Sequence, residues 1–216
     1  ELKAYVNGTE VPKPPEGFVE SRENKLFTYD VYREYVIVTG YLGEELEVVI
    51  PEKIDGYTVT AIGNKAFYDC SHLTSVTIPD SITSISEHMF TGCSNLTSVV
   101  IGDSVTSIGR YAFSNCSSLT SVTIPNSVTT IGNSAFSGCS NLQTINSLPT
   151  TPPTIGSNIF DGISSNAKIY VPAKEVFFML CTRCGQSVIP DSRFCYHCGM
   201  QLVTVEVEIQ LPESVE

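Results

Sequence analysis

Hydrophobic and polar positions change rhythm along the chain. Over residues 25–41, "KLFTYDVYREYVIVTGY", they alternate through Phe27, Tyr29 and Val31, and again from Tyr35 and Val36 onward. Alternation puts successive side chains on opposite faces of a strand, so this stretch predicts a hairpin turning at Arg33-Glu34. In the middle of the chain the apolar positions recur instead at a period of 23. Phe67, Phe90, Phe113 and Phe136 keep that interval, as do Leu73, Leu96, Leu119 and Leu142. The columns Ile62/Ile85/Ile108/Ile131, Val59/Ile82/Val105/Val128 and Ile78/Ile101/Ile124 follow suit. So many coincident columns identify a solenoid, in which no unit buries its apolar face alone and neighbouring coils stack to close the core.

Each unit has a physical reading. In "LTSVTIP", Leu73, Val76 and Ile78 fit the L-x-x-L-x-L strand of a leucine-rich repeat, and Thr77 between two inward residues turns outward. Pro79 and Pro125 end their strands by removing a donor. A second short extended piece follows ("SITSIS", "SVTSIG"). The segment "xxAFxxCSxL" then has Phe, Cys and Leu at three-residue steps, which predicts a single helical turn with one side inward.

The ends carry their own signals. The 25–41 hairpin is placed to cover the N-terminal edge, because an open end coil exposes core and unpaired strand edges. Upstream, Asn7-Gly8 between alternating residues signals a tight hairpin, and "PKPPEG" (12–17) reads as a stiff linker. At the other end "LVTVEVEIQL" (202–211) alternates cleanly and predicts a strand with one buried face. The chain is thereby divided into an N-terminal β segment and linker (1–24), a capped solenoid (25–175), a cysteine-bearing module (176–202) and a C-terminal strand and tail (203–216).

Half of the eight cysteines lie in the solenoid, at Cys70, Cys93, Cys116 and Cys139. Stacked about 5 Å apart they fall within disulfide reach, but parallel Cβ vectors on adjacent coils suit a bridge poorly. A ladder of buried free thiols is expected, over bridges or a reactive role. The other four form two C-x-x-C pairs, Cys181/Cys184 and Cys195/Cys198, ten residues apart. Gly185 and Gly199 follow the pairs, and Pro190-Asp191-Ser192 supplies a turn between them. Two such knuckles brought together give a closed tetrahedral thiolate site with no open position for chemistry. The module resembles a short bacterial-type zinc ribbon (179–202). Structural Zn2+ is the expected ligand and iron the runner-up; a thioredoxin-like redox role lacks its βαβ context. His197, between two ligands, is expected to be an exposed side chain rather than a ligand.

Charge narrows the partners. The net charge is −11, with twelve acidic and six basic side chains over residues 1–57. Residues 58–150 hold only Asp69, Asp80, Glu87 and Asp103 against Lys65 and Arg110. This is the wrong sign for binding nucleic acid. No apolar run approaches the length needed to insert in a bilayer. His72, His88 and His197 are scattered, and no H-E-x-x-H, G-x-S-x-G, phosphate-loop or dinucleotide motif is present. Catalytic residues: none; the protein is read as no enzyme.

The run "IPDSITSISEHMFTGCSNLTSVVIGDSVTSIGRYAFSNCSSLTSVTIPNSVTTIGNSAFSGCSNLQTI" resembles the BspA-like leucine-rich repeat proteins, and the likeness extends over residues 27–173. "VVIPEKIDGYTVTAIGNKAFYDC" resembles that family's first coil, with Ile54-Asp55-Gly56-Tyr57 inserted before it. "TTPPTIGSNIFDGISSNAKIYVPA" resembles its closing coil. The expected fold is therefore a β-rich, right-handed leucine-rich-repeat solenoid with short helical turns, an N-terminal β-hairpin cap and a small four-cysteine zinc ribbon. What the resemblance implies is a non-enzymatic scaffold for protein contact, on the cell surface or secreted, with host-matrix or host-cell binding in some members. A protein or glycan partner would meet the outward residues Thr74, Thr77, Thr97, Thr120, Ser121 and Thr123, a nearly uncharged hydroxyl face. The alternative is a cytoplasmic zinc-ribbon regulatory or assembly protein that uses the coils as a platform. Ice or crystal binding by the same rows is weakened by Val100 and Asn146.

Overall fold

The computed structural model describes residues 16–149 and 151–170, with the backbone of four short strands at 5–6, 9–10, 179–180 and 187–188. The linker residues before 16, most of the ribbon with its four cysteines, and the 203–211 strand lie outside the described residues. Strands β1 (Tyr5–Val6) and β2 (Thr9–Glu10) pair antiparallel about Asn7-Gly8.

The cap comes next. Strands β3 (Phe18–Glu23), β4 (Phe27–Tyr32) and β5 (Tyr35–Tyr41) are antiparallel neighbours, and the β4–β5 reversal falls at residues 33–34. β3 thus adds a strand outside the 25–41 pattern. Its residues alternate poorly in hydrophobicity, because only Phe18 is even half-buried. Strand β6 (Glu47–Val49) starts the first coil, and β7 (Lys53–Ile54) pairs back on β8 (Tyr57–Ile62). Asp55 and Gly56, at φ 51° and 86°, make the two-residue turn between them. This hairpin is the insertion seen in the sequence: Val48 to Val76 is 28 residues rather than 23.

From here the coils repeat: β9 (Ser75–Thr77), β10 (Ser84–Ile85), β11 (Ser98–Val100), β12 (Ser107–Ile108), β13 (Ser121–Ile124), β14 (Thr130–Ile131), β15 (Thr144–Ser147), β16 (Thr154–Ile155) and β17 (Lys168–Tyr170). One parallel sheet runs β10-β12-β14-β16. The other face carries two parallel sheets, β6-β9-β11 and β13-β15-β17. The coil-to-coil offset puts like on like, as in Val76↔Val99 and Val122↔Ile145, so each column becomes a buried stripe. A beta-solenoid of about six turns results.

The cap supplies a substitute coil. Gly63 N–H donates to Val38 O at 2.7 Å, as Gly109 donates to Ile85 O and Gly132 to Ile108 O at 2.8 Å. Tyr41 N–H donates to Ala66 O at 2.8 Å, as Phe90 donates to Ala112 O at 2.8 Å. Val38 and Tyr41 therefore stand where a preceding coil would place its Ile and Phe, which removes the open edge.

The expected helical turns are absent; the segments are chains of tight turns. In "KAFYD", Lys65 and Asp69 have φ of 62° and 55°, the left-handed region, which a right-handed helix cannot pass through. The same register recurs at His88, Tyr111, Ser134 and Asn158. Alternate N–H groups leave the segment: Lys65, Phe67 and Asp69 donate to Glu87, Met89 and Thr91 of the next coil at 3.3, 3.0 and 2.8 Å. Those between, Ala66, Tyr68 and Cys70, donate three residues back to Gly63, Lys65 and Phe67. A helix directs its N–H groups along its own axis; here stacking turns every second one to the next coil.

Rings fill the axis beneath these turns. Tyr41, Phe67, Phe90, Phe113, Phe136 and Phe160 stack in sequence, with centroids 5.1, 5.1, 5.3, 5.3 and 5.7 Å apart. The spacing follows that of the coils.

Candidate functional site

The solenoid cysteines are free thiols. Cys93, Cys116 and Cys139 each donate S–H to the Phe carbonyl of the coil before: Phe67 O at 3.1 Å, Phe90 O at 3.2 Å and Phe113 O at 3.1 Å. Phe67 O also accepts Cys70 N–H, so the thiol takes the carbonyl's second lone pair. Burial pushes the Cys93 and Cys139 thiols up to about 12 and the half-buried Cys70 up to about 11, and raises Cys116 strongly. A thiol held protonated is a poor nucleophile and a poor ligand; Cys93, Cys116 and Cys139 pack in the core, and Cys70 packs half-buried against it.

Outward residues of the strand face form rows fixed by register. One row reads Glu47, Ser75, Ser98 on the first sheet and Ser121, Thr144, Lys168 on the second. The next reads Val49, Thr77, Val100, then Thr123, Asn146, Tyr170. Thr97, Thr120, Ser121 and Thr123 are exposed, whereas Thr74 and Thr77 are half-buried. The face is therefore uncharged along its middle and bounded by Glu47 and Lys168. Some hydroxyls serve the fold: Thr74 Oγ1 donates to Leu46 O at 2.9 Å and Thr97 Oγ1 to Thr74 O at 3.0 Å. Thr106 and Thr129 make the same coil-to-coil bonds on the other sheet, to Thr83 O and Thr106 O. Each of these carbonyls also accepts a backbone N–H from the next coil, so the short hydroxyl side chains add a second donor at the same coil-to-coil contact.

Reading by columns missed the strand-end groove beside this face, lined by Val49, Glu52, Thr77, Asp80, Val100 and Asp103 among others. The signal was present: Val48-Val49-Ile50-Pro51 repeats Val76-Thr77-Ile78-Pro79, displaced by the inserted hairpin.

Beyond the solenoid, β18 (Met179–Leu180) pairs antiparallel with β19 (Ser187–Val188), Met179 opposite Val188 and Leu180 opposite Ser187. The pair closes a loop that contains Cys181 and Cys184; the thiols of Cys181, Cys184, Cys195 and Cys198 lie outside the described residues. Among the described residues no group of His, Cys, Asp or Glu is placed to hold a metal ion. Nor is any described helix long and apolar enough to cross a membrane.

A family model described as a BspA type leucine rich repeat region, in six copies, matches residues 58–181. The chain belongs to this family. Its members are repeat scaffolds that generally mediate protein contact without catalysis. No curated protein matches the chain. Among solved structures, the leucine-rich repeat protein of T. pallidum (TpLRR) is similar, with 34% identity, a TM-score of 0.63 and 71% of each chain covered. A leucine-rich repeat protein from Bacteroides capillosus has 29% identity and a TM-score of 0.53, over 59% of this chain and 97% of that one. A leucine rich cell surface protein from Faecalibacterium prausnitzii has 25% identity and a TM-score of 0.50, over 71% of this chain and 55% of that one.

Proposed function

We propose that this protein is a cell-surface or secreted recognition scaffold whose strand face binds an extended protein or glycan, in the manner of an adhesin. The observation that carries this reading is the exposed, uncharged hydroxyl stretch Thr97, Thr120, Ser121 and Thr123 on the strand face. Short side chains on adjacent strands present a flat surface, and their hydroxyl oxygens offer acceptors to a backbone or a sugar, Thr97 having already given its proton to Thr74 O. Support for the location is the Faecalibacterium relative described as a cell surface protein. The experiment is binding of labelled cells or matrix extracts to the immobilised full chain. Thr120→Lys with Thr123→Lys is expected to abolish capture while leaving the unfolding midpoint unchanged; undiminished capture removes the face from consideration.

The four cysteines of the C-terminal module extend the proposal. Four thiolates in two C-x-x-C knuckles are the donor set of a structural Zn2+ site, with Cys181, Cys184, Cys195 and Cys198 as ligands. The antiparallel pairing of β18 and β19 around the first knuckle supports it. Such a metal holds the module together and supplies no reaction. Metal analysis of the purified chain is expected to give about one zinc per chain, and under about half an equivalent discards the assignment.

A further inference from the structure

Large apolar side chains are seldom exposed on these coils, and two of them share one row. Val49 is 72% and Val100 53% exposed. Register sets both opposite Thr77, one on each side. With strands about 4.8 Å apart, the two valines flank Thr77 across about 10 Å. Three residues further along each strand end stand Glu52, Asp80 and Asp103, and the two rows together line a shallow groove of about 480 Å³.

Both properties stop at the same place. In the next coil the two rows continue as Thr123 and Asn126, so the apolar character and the charge end together. Asp80 Oδ1 accepts Asp103 N–H at 2.7 Å, which fixes that carboxylate by backbone rather than by a cation. Among the described residues, Glu52, Asp80 and Asp103 make no ion pair, although they stand side by side. The three carboxylates line one groove, so cationic side chains laid along it meet negative charge on each of its strand ends. The chain's net charge of −11 draws in partners of the same sign as those side chains.

The geometry points to this groove as the docking subsite for an extended cationic polypeptide segment. Val49 and Val100 receive its aliphatic side chains over Thr77, and Glu52, Asp80 and Asp103 receive its Lys or Arg. This rests on the reading of the coils as a protein-binding scaffold and assigns the partner's chemistry at the first two coils.

The test is fluorescence anisotropy of the full chain with a fluorescein-labelled, alternating Val-Lys decapeptide, and with its Val-Glu counterpart. Saturable, salt-sensitive binding of the Val-Lys peptide alone is expected. Val49→Ser with Val100→Ser is expected to weaken it about tenfold or more, and so is Glu52→Gln with Asp80→Asn and Asp103→Asn. The amide introduced by Asp80→Asn keeps a carbonyl oxygen to accept the residue-103 N–H, and the valines are surface residues, so unchanged unfolding midpoints serve as the folding control. Equal affinity in either variant overturns the proposal, as does equal binding of the Val-Glu peptide or no saturation by about 1 mM peptide. Cell or matrix capture that is lost in Thr120→Lys with Thr123→Lys but held by both groove variants would sink the groove and spare the scaffold reading.

Discussion

Replacing Phe113 by alanine removes a middle ring of the aromatic stack. Phe113 is fully buried, and the Phe90 and Phe136 rings stand 5.3 Å away on each side at 8° and 5° to it. Truncating a buried Phe costs about 3–5 kcal/mol. The site belongs at the upper end of that range, because its neighbours cannot close the gap. Phe90 N–H is bonded to Ala112 O and Phe113 N–H to Ala135 O, both at 2.8 Å, so the coil spacing is pinned by backbone. Two ring contacts of about 0.5–1.5 kcal/mol each go with it. Against a total stability of about 5–15 kcal/mol, a loss of about 5 kcal/mol takes a third or more. At roughly 2–4 °C per kcal/mol for a chain of this size, the melting temperature falls by about 10–20 °C. Each coil touches only its neighbours, so the damage falls on two interfaces and the transition broadens. The assay is guanidinium and thermal unfolding of the full chain by far-UV circular dichroism, with Phe113→Leu as a comparison that keeps most of the volume. A loss below about 1 kcal/mol, or equal losses for Ala and Leu, refutes the account of the stack.

Other expectations follow from the same contacts. The folded chain holds its solenoid thiols neutral, with Cys93 and Cys139 pushed up to about 12 by burial. Unfolded thiols titrate near 8.5, so this stabilisation is complete below that pH and drains away as pH rises toward about 12. Tyr29 and Tyr41, also pushed up to about 12 by burial, add the same sign above about pH 10. Denaturation midpoints measured from pH 8 to 11 are expected to fall, less steeply in a Cys93→Ala, Cys116→Ala, Cys139→Ala variant; an equal slope contradicts the burial. Gly138 and Gly162 both have positive φ, 76° and 72°, but a Cβ on Gly138 would collide with Asn115 Oδ1, whereas on Gly162 the nearest atom is 3.6 Å away. Gly162→Ala should cost about 1 kcal/mol of backbone strain and Gly138→Ala more, with the excess recovered in an Asn115→Gly background; equal costs by chemical denaturation would show that Asn115 does not crowd the site.

How much of this was legible in the sequence varies by element and has a physical cause. The period of 23 fixed the coils, the inward columns and the buried cysteines, because an array that stacks like on like must repeat its core residues. The same spacing misled at "KAFYD", where three-residue steps suggest a helical turn. Periodicity reports which side chains face inward, but it is the left-handed φ at Lys65 and Asp69 that sends alternate N–H groups to the next coil. Position decided the remainder. Tyr41 completes the ring stack only because β5 pairs beside β8 as a substitute coil, a neighbourhood no local pattern encodes. Val49 and Val100 are 51 positions apart, and a hairpin insertion lies between them. Only the parallel register through Thr77 sets them on one row beside Glu52, Asp80 and Asp103, because burial and charge at a surface depend on which strands become neighbours.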